Sequence, residues 1–237
     1  MEWFEEWFGE EYLRLYPHRD DHEAERAVVL ITRTVPFRAG WRVLDVACGA
    51  GRHARAFEAA GARCTGLDLS ATLLRLARQV TNSPLVRADM RRLPIRPHSM
   101  DLTVNLFTSF GYFERDAEHS EALGEMIGTV RPAGWFVIDF LNPEAVRRQL
   151  VPEETLELAG ATVQVSRSVS PDGRYVCKTI RASEGKHYLE RVRLFEPHQM
   201  SSMLEAEGVT VRFRFGDYHA APLTADSPRT ILVGQVG

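Results

Sequence analysis

The sequence predicts an α/β protein. Its core is a doubly wound, mostly parallel seven-stranded sheet with an antiparallel C-terminal hairpin and an inserted antiparallel β-meander. Three observations carry this prediction. From residue 42 to about 150, apolar runs of strand length alternate with segments of helical spacing. Strands joined that way form right-handed βαβ units and a parallel sheet covered on both faces. The first run ends in a Gly-x-Gly turn, "VLDVACGAGRHARAF" (Val43 to Phe57). From 155 to 195 the helical spacing stops, and strand-like stretches meet at "SPDG" and "SEGK", which is turn chemistry.

Taken in order, residues 10–35 read as helical, with an apolar stripe through Ala24, Ala27, Val28 and Ile31 broken near Pro17. "RVLDVA" (42–47) is a buried strand, and 50–61 is a helix that Gly61 ends. "RCTGLDLS" (63–70) is the second strand, and Ser70 caps the helix "ATLLRLARQV". Short strands at 84–89 and 101–107 precede a helix at 116–131 and a fifth strand at 134–142. The meander consists of "TLELAGATVQVSRSV", "GRYVCKTIRAS" and "KHYLERVRLFE". A helix ending at Gly208 leads to strands at 209–216 and 229–236. Residues 1–150 and 196–237 are therefore expected to form a ligand-binding domain, and 151–195 an inserted subdomain acting as lid or substrate roof. A ligand is expected outside the carboxyl ends of strands one, two and four, where the sheet changes direction.

Composition narrows the function classes. The chain has 237 residues, 44% hydrophobic and 26% charged, with net charge −3. That balance predicts no general attraction to nucleic acid or anionic membrane. The arginines of "RADMRRLPIRPH" (87–98) read as a solvated loop. Cys48, Cys64 and Cys177 have neither metal-ligand nor disulfide spacing, which predicts a reducing cytoplasm and no metal site. The start "MEWFEEWFGEEY" is acidic and aromatic, the reverse of a signal peptide. No apolar run approaches the ~20 residues of a membrane span. The expected state is a monomer or homodimer with a small-molecule partner.

Gly49-Ala50-Gly51-Arg52-His53-Ala54 satisfies G-x-G-x-x-G/A, a pattern that by itself admits a dinucleotide. An NAD(P)-dependent oxidoreductase is thus the alternative. Asp68, ending the second strand, suits a ribose diol under either reading, because a carboxylate accepts two hydroxyl hydrogen bonds. Three features separate the two. Asp45 ends the first strand, where it would repel a pyrophosphate and attract an ammonium or sulfonium. In "ADM" (88–90), Asp89 can accept from an adenine amine while the Met90 N–H donates to a ring nitrogen. Asn105-Leu106-Phe107 ends the fourth strand with amide and apolar groups rather than a phosphate cradle.

"VLDVACGAG", "GLDLS", "RADM", "DLTVNLF" and "VRPAGWFVIDF" together resemble the class I S-adenosylmethionine-dependent methyltransferases. "NLFTSFGYFERDAE" and "DSPRTILVGQV" resemble a bacterial small-molecule branch. The resemblance spans roughly 10–150 and 196–237. Two departures are Pro132-Ala133-Gly134, where Pro-Gly-Gly is usual, and Ala50, where Thr is frequent. The resemblance implies S-adenosylmethionine as cofactor and N- or O-methylation of a small molecule. It implies that Gly49 and Gly51 let the methionine part lie against the backbone, with Ala47 and Leu69 beside the strand ends. Asp45 orders that loop or meets the ammonium. Asp68 holds the ribose, Asp89 and Met90 frame the adenine, and Asn105 and Leu106 line the floor near the sulfonium. Tyr12 and Tyr16 lie on an N-terminal helix that in relatives folds over the cofactor. Some relatives, amino-sugar N-methyltransferases among them, carry an antiparallel insert after strand five.

A neutral amine needs little acid–base help to attack a sulfonium methyl, whereas a hydroxyl needs a base. Candidates for that base are His119, His198, His219, Glu114 and Asp139, with His219 and Tyr112 the leading catalytic candidates. The aromatic run "FTSFGYF" follows strand four on the ligand side, so Phe110 and Tyr112 are expected as pocket walls. In the meander, Tyr188, Arg191 and Arg193 are expected in the roof. Period-two alternation puts Arg191 and Arg193 on one face, where they either grip an anionic substrate group or face solvent.

Overall fold

The computed structural model describes residues 21–158, 161–182 and 187–237. Seven strands form the main sheet: β1 (Arg42–Val46), β2 (Arg63–Asp68), β3 (Leu85–Arg87), β4 (Met100–Asn105), β5 (Val130–Leu141), β10 (Val209–Phe215) and β11 (Arg229–Val236). Their order is β10-β11-β5-β4-β1-β2-β3. The five strands from β3 to β5 run parallel, and β11 and β10 are antiparallel. The sheet changes direction between β1 and β4, as expected.

Alternate residues of each strand supply two cores. On one face Leu44, Val46, Phe136 and Ile138 pack with Leu123 and Met126 of α4 (Asp116–Gly128) and Met200 and Leu204 of α6 (Pro197–Ala206). On the other, Val43, Leu102, Val104 and Val137 meet Val28 and Ile31 of α1 (Asp21–Thr34) and Ala54 and Phe57 of α2 (Arg52–Ala59). Each such side chain contributes about 1.5–3 kcal/mol when fully buried. Gly61 follows α2 at φ 89°. Ser70 caps α3 (Ala71–Val80) by accepting from the Leu73 N–H at 3.2 Å.

Three details differ from expectation. β5 begins at Val130, four residues early, because Pro132-Ala133-Gly134 is a bulge within the strand. The register jumps there from Met100↔Val130 to Leu102↔Trp135, with Ala133 at φ 59°. A seven-residue helix, α5 (Pro143–Gln149), follows β5 unannounced, although Asn142 caps it and Pro143 opens it, a recognisable start pair. The stretch read as one strand at 155–169 forms two. The second sheet is thus a four-stranded antiparallel meander of β6 (Glu153–Leu158), β7 (Ala161–Val169), β8 (Tyr175–Ala182) and β9 (His187–Arg193). It is tied to the main body where the Arg193 N–H donates to the Gly111 carbonyl at 2.7 Å.

Among the described residues no helix is long and apolar enough to cross a membrane. Tyr12, Tyr16 and the part of the expected helix before residue 21 lie outside the described residues, and the rest of that helix is α1.

Candidate active site

The candidate site grows from the carboxyl ends of β1, β2 and β4. After β1 the chain turns sharply, with Ala47 at φ 60°, Gly49 at 55° and Gly51 at 83°. A non-glycine residue there is strained and persists only where the surroundings enforce it. They do: the Cys48 N–H donates to the Leu67 carbonyl at 2.9 Å, and the Gly51 N–H to the Cys48 carbonyl at 3.0 Å. A Cβ on Gly51 would stand 3.0 Å from the Ala77 Cβ, whereas one on Gly49 would meet nothing within 4 Å among the described residues. The loop therefore packs on α3 through Gly51 and leaves open space over Gly49.

Asp68 fixes this loop from the tip of β2. One carboxylate oxygen accepts from the Gly49 N–H and the other from the Ser70 N–H, both at 2.8 Å. A carboxylate has about four lone-pair sites, more than these two N–H groups fill. Asp45 lies beneath, 1% exposed. Its Oδ2 has no hydrogen-bond partner among the described residues. Burial first, then the neighbouring Asp68, push its carboxyl up to about 8, against the Arg52 guanidinium and the Ala54 N–H.

Asn105, fully buried at the end of β4, donates from Nδ2 to the Val46 carbonyl at 3.1 Å, and its Oδ1 has no partner among the described residues. Leu106 beside it is buried. Leu69 and Met90 are half-buried against the core. Burial pushes the Asp89 carboxyl up, but the Arg91 guanidinium and N–H outweigh it and hold it below its ordinary range. Arg91 also reaches Glu118 at 2.9 Å.

Immediately after β4, Phe107 and Thr108 are both left-handed, at φ 59°. A buried cluster enforces this corner. Asp139 on β5 accepts from the Phe107 N–H at 2.9 Å and from the Tyr218 hydroxyl at 2.5 Å, and it pairs with Arg229. Arg229 also donates to the Thr108 hydroxyl at 3.0 Å. Burial and Asp139 push the Tyr218 phenol well above its usual range. Arg52 lies over the Phe107 ring, 4.1 Å from its centroid.

Beyond the corner opens a cavity of about 570 Å³, floored by Phe107, Thr108, Tyr112 and Leu141 and roofed by the second sheet. Glu154, Arg167, Lys178 and Glu190 face into it. The Tyr112 hydroxyl donates to Glu190 at 3.4 Å.

Four expected site residues stand elsewhere. Phe110 is core, not wall: it is 1% exposed and packs on His119 and Phe195. Gly111, at φ 100°, separates it from Tyr112 on the cavity side. Arg191 faces away from the cavity, because β9 presents its even positions, Glu190 and Val192. Arg191 instead covers the Tyr175 ring at 4.5 Å, and Arg193 on the same face is held by Asp116 at 3.1 Å. His219 lines a different cleft, of about 730 Å³, against His22, Arg26 and Tyr218.

The other base candidates are also away from the cavity lining. His119 is fully buried among Phe110, Phe113 and Phe195, and burial pushes its imidazole below the usual range. His198 and Glu114 are exposed. Asp139 is committed to the corner cluster. Sequence reading missed Arg52, Arg167, Lys178 and Glu190. The signal for the last three was strand phase: in β8 and β9 the apolar Val176, Ile180 and Val192 occupy even positions, and in β7 the apolar Val163 and Val165 share the odd phase of Arg167, so those sides face inward.

With this geometry in place, comparison with known proteins gives one answer. A family profile described as "Methyltransferase domain" matches residues 44–138. A Streptomyces fradiae protein, dTDP-3-amino-3,6-dideoxy-alpha-D-glucopyranose N,N-dimethyltransferase, is 30% identical over 209 residues, which is 84% of this chain and 81% of that protein. The CcbJ methyltransferase of Streptomyces caelestis superposes with TM-score 0.80 at 18% identity, over 97% of this chain and 98% of the other. S-adenosylmethionine-bound CalS10 of Micromonospora echinaspora, an amino pentose methyltransferase, superposes with TM-score 0.70 at 23% identity, over 96% and 97%.

Proposed function

We propose that this chain, which belongs to the class I S-adenosylmethionine-dependent methyltransferases, methylates an amino nitrogen of a small polar acceptor resembling an amino sugar. It is a small-molecule methyltransferase with S-adenosylmethionine as cofactor, and nothing in these relatives favours the oxidoreductase alternative. The observation that carries the amine reading is the lining of the 570 Å³ cavity. It presents two carboxylates, two cations and a phenol, and no imidazole among the described lining residues; Glu154 is paired with Arg167, and the Glu190–Tyr112 end offers a carboxylate beside a phenol. Such a lining suits an ammonium that needs holding and deprotonating, not a hydroxyl that needs a strong base. The relative's dTDP-amino-sugar acceptor supports the same reading.

The residues at the strand tips fit the cofactor. Among the described residues nothing crowds Gly49, which admits close approach to the backbone, and the Asp45 and Asn105 oxygens that find no partner among those residues suit a cationic ligand better than a phosphate. When bound, the cofactor supplies an activated methyl on a sulfonium for in-line displacement. Asp68 holds the ribose hydroxyls while anchoring the loop. Asp45 meets the methionine ammonium, and Arg52, half-sandwiched on Phe107, meets the methionine carboxylate. Met90 offers its N–H to the adenine and Asp89 frames that edge. Ala47, Leu69, Asn105 and Leu106 line the floor. Tyr112 and Glu190 orient the acceptor amine, and Glu190 takes its proton. Residues 151–195 act as roof, and 1–150 with 196–237 as the cofactor domain. The buried Cys48 and Cys64, unpaired in the structure, support a cytoplasmic location.

The buried acid yields one expected result. With its carboxyl at about 8, Asp45 is mostly protonated at pH 7 in the free protein. A facing ammonium favours the ionised form. Binding of S-adenosylhomocysteine at pH 7 therefore releases a fraction of a proton, measured as a buffer-dependent heat in calorimetry, and Asp45→Asn abolishes the release. The sign for folding follows too. A carboxyl raised on folding contributes most below its unfolded value and loses that contribution as pH rises from about 4 to about 8. Asp68 and Arg52 are the charged neighbours through which substitution tunes this window, while burial pushes the Cys48 and Cys64 thiols up and keeps them neutral across it.

The amine reading is tested by S-adenosylhomocysteine release across pooled amines, amino sugars and hydroxylated acids, with mass spectrometry of the products. We expect N-methyl products from amino sugars, and a Glu190→Gln variant that loses turnover more at low pH than at high pH. Transfer to hydroxyl oxygen alone would refute it.

A further inference from the structure

The cavity roof carries one charged side chain from each strand of the second sheet: Glu154, Arg167, Lys178 and Glu190. Register sets their neighbours. Arg167 is the direct partner of Lys178, and Lys178 of Glu190. Glu154 closes the row through an ion pair to Arg167 at 2.8 Å. The row thus reads negative, positive, positive, negative, with two cations side by side at its centre. Like charges directly opposite on adjacent strands destabilise a sheet. Here the pair lines the cavity, and Lys178 is one of only two lysines in the chain.

We propose that Arg167 and Lys178 form an anion subsite that takes a phosphoryl group of the acceptor, with the amine to be methylated at the Glu190–Tyr112 end. This rests on the amine-methyltransferase reading above and adds the acceptor's second charge. The anion grip that the sequence suggested for Arg191 and Arg193 is unavailable, because both side chains are turned away and engaged. A phosphoryl group fits better than a carboxylate. Its oxygens can bridge two cations at once, and the guanidinium fork binds two of them in plane.

The strand spacing acts as a ruler. Neighbouring strands lie about 4.8 Å apart, so Lys178 and Arg167 stand roughly 5 and 10 Å along the row from Glu190. The acceptor therefore presents its anionic group at roughly that distance from its nitrogen, about the span of a sugar ring, and the cavity volume accommodates such a molecule. Glu154 holds Arg167 in the absence of the anion, so it competes with the anion for that cation. That competition gives the proposal a signature which loss of structure cannot imitate.

The test titrates protein saturated with S-adenosylhomocysteine with inorganic pyrophosphate and, separately, thymidine diphosphate, by calorimetry. The wild type should bind at least one probe with one-to-one stoichiometry. Lys178→Met and Arg167→Met should each weaken that binding by about tenfold or more, as expected for losing a charged hydrogen-bond partner. Glu154→Gln should strengthen it, and S-adenosylhomocysteine affinity should stay unchanged in all three. Binding of neither probe, binding indifferent to both cations, or weaker binding in Glu154→Gln would overturn the subsite. A wild type that fails to bind S-adenosylhomocysteine at all would instead overturn the methyltransferase reading beneath it.

Discussion

Asp68→Ala is expected to lose S-adenosylhomocysteine affinity by at least roughly 100-fold, since two hydrogen bonds to a charged group together contribute about 3–6 kcal/mol. Two effects add. The ribose loses its acceptor, and the Gly49 and Ser70 N–H groups, each 2.8 Å from a carboxylate oxygen, lose theirs, so the loop that must lie against the cofactor is no longer held. Asp68→Asn keeps one acceptor oxygen and should lose less. A purely structural Asp68 would behave differently, with a lower melting temperature in Asp68→Ala but unchanged affinity in the folded protein. Calorimetry alongside thermal melting separates the two.

Arg229→Met should destabilise the fold by about 3–5 kcal/mol, the usual cost of leaving one partner of a buried ion pair alone. In a chain of this size that lowers the melting temperature by roughly 10 °C. Asp139 is fully buried and would keep only the Phe107 N–H and the Tyr218 hydroxyl as described partners. The same change releases Thr108, which Arg229 holds at 3.0 Å. The left-handed corner between the strand tips and the acceptor cavity then relaxes. Turnover should fall more steeply than cofactor affinity, because the corner shapes the acceptor side. Arg229→Lys keeps the charge without the second hydrogen bond and should lie between. If melting temperature and kinetics are both unmoved, the corner cluster has no positioning role.

These two substitutions also mark how far the sequence could be read. The places of Asp45, Gly49, Gly51, Asp68 and Asn105 at or beside strand ends were legible, because local chemistry sets position there: apolar run, acid, glycine turn. The parallel sheet followed from the alternation of strands and helices. Asp139, Tyr218 and Arg229 lie 79 and 90 residues apart along the chain in their mutual bonds, so only the folded sheet joins them. The roof was misread by one residue of phase. In a strand of period two, an error of one residue exchanges faces completely, and that exchange replaced Glu190 and Val192 with Arg191 and Arg193. Phe110 and Tyr112 look equivalent in an aromatic run. Gly111, with no room for a Cβ beside the Val192 side chain and Arg193 carbonyl, turns the chain so that one enters the core and the other the cavity.

The central claim is that the strand tips bind a sulfonium nucleoside, not a dinucleotide. Titration of the purified chain with S-adenosylhomocysteine, and separately with NAD, tests it most directly. One-site binding of the former with none of the latter is the predicted result. Binding of NAD with no heat from S-adenosylhomocysteine would contradict it.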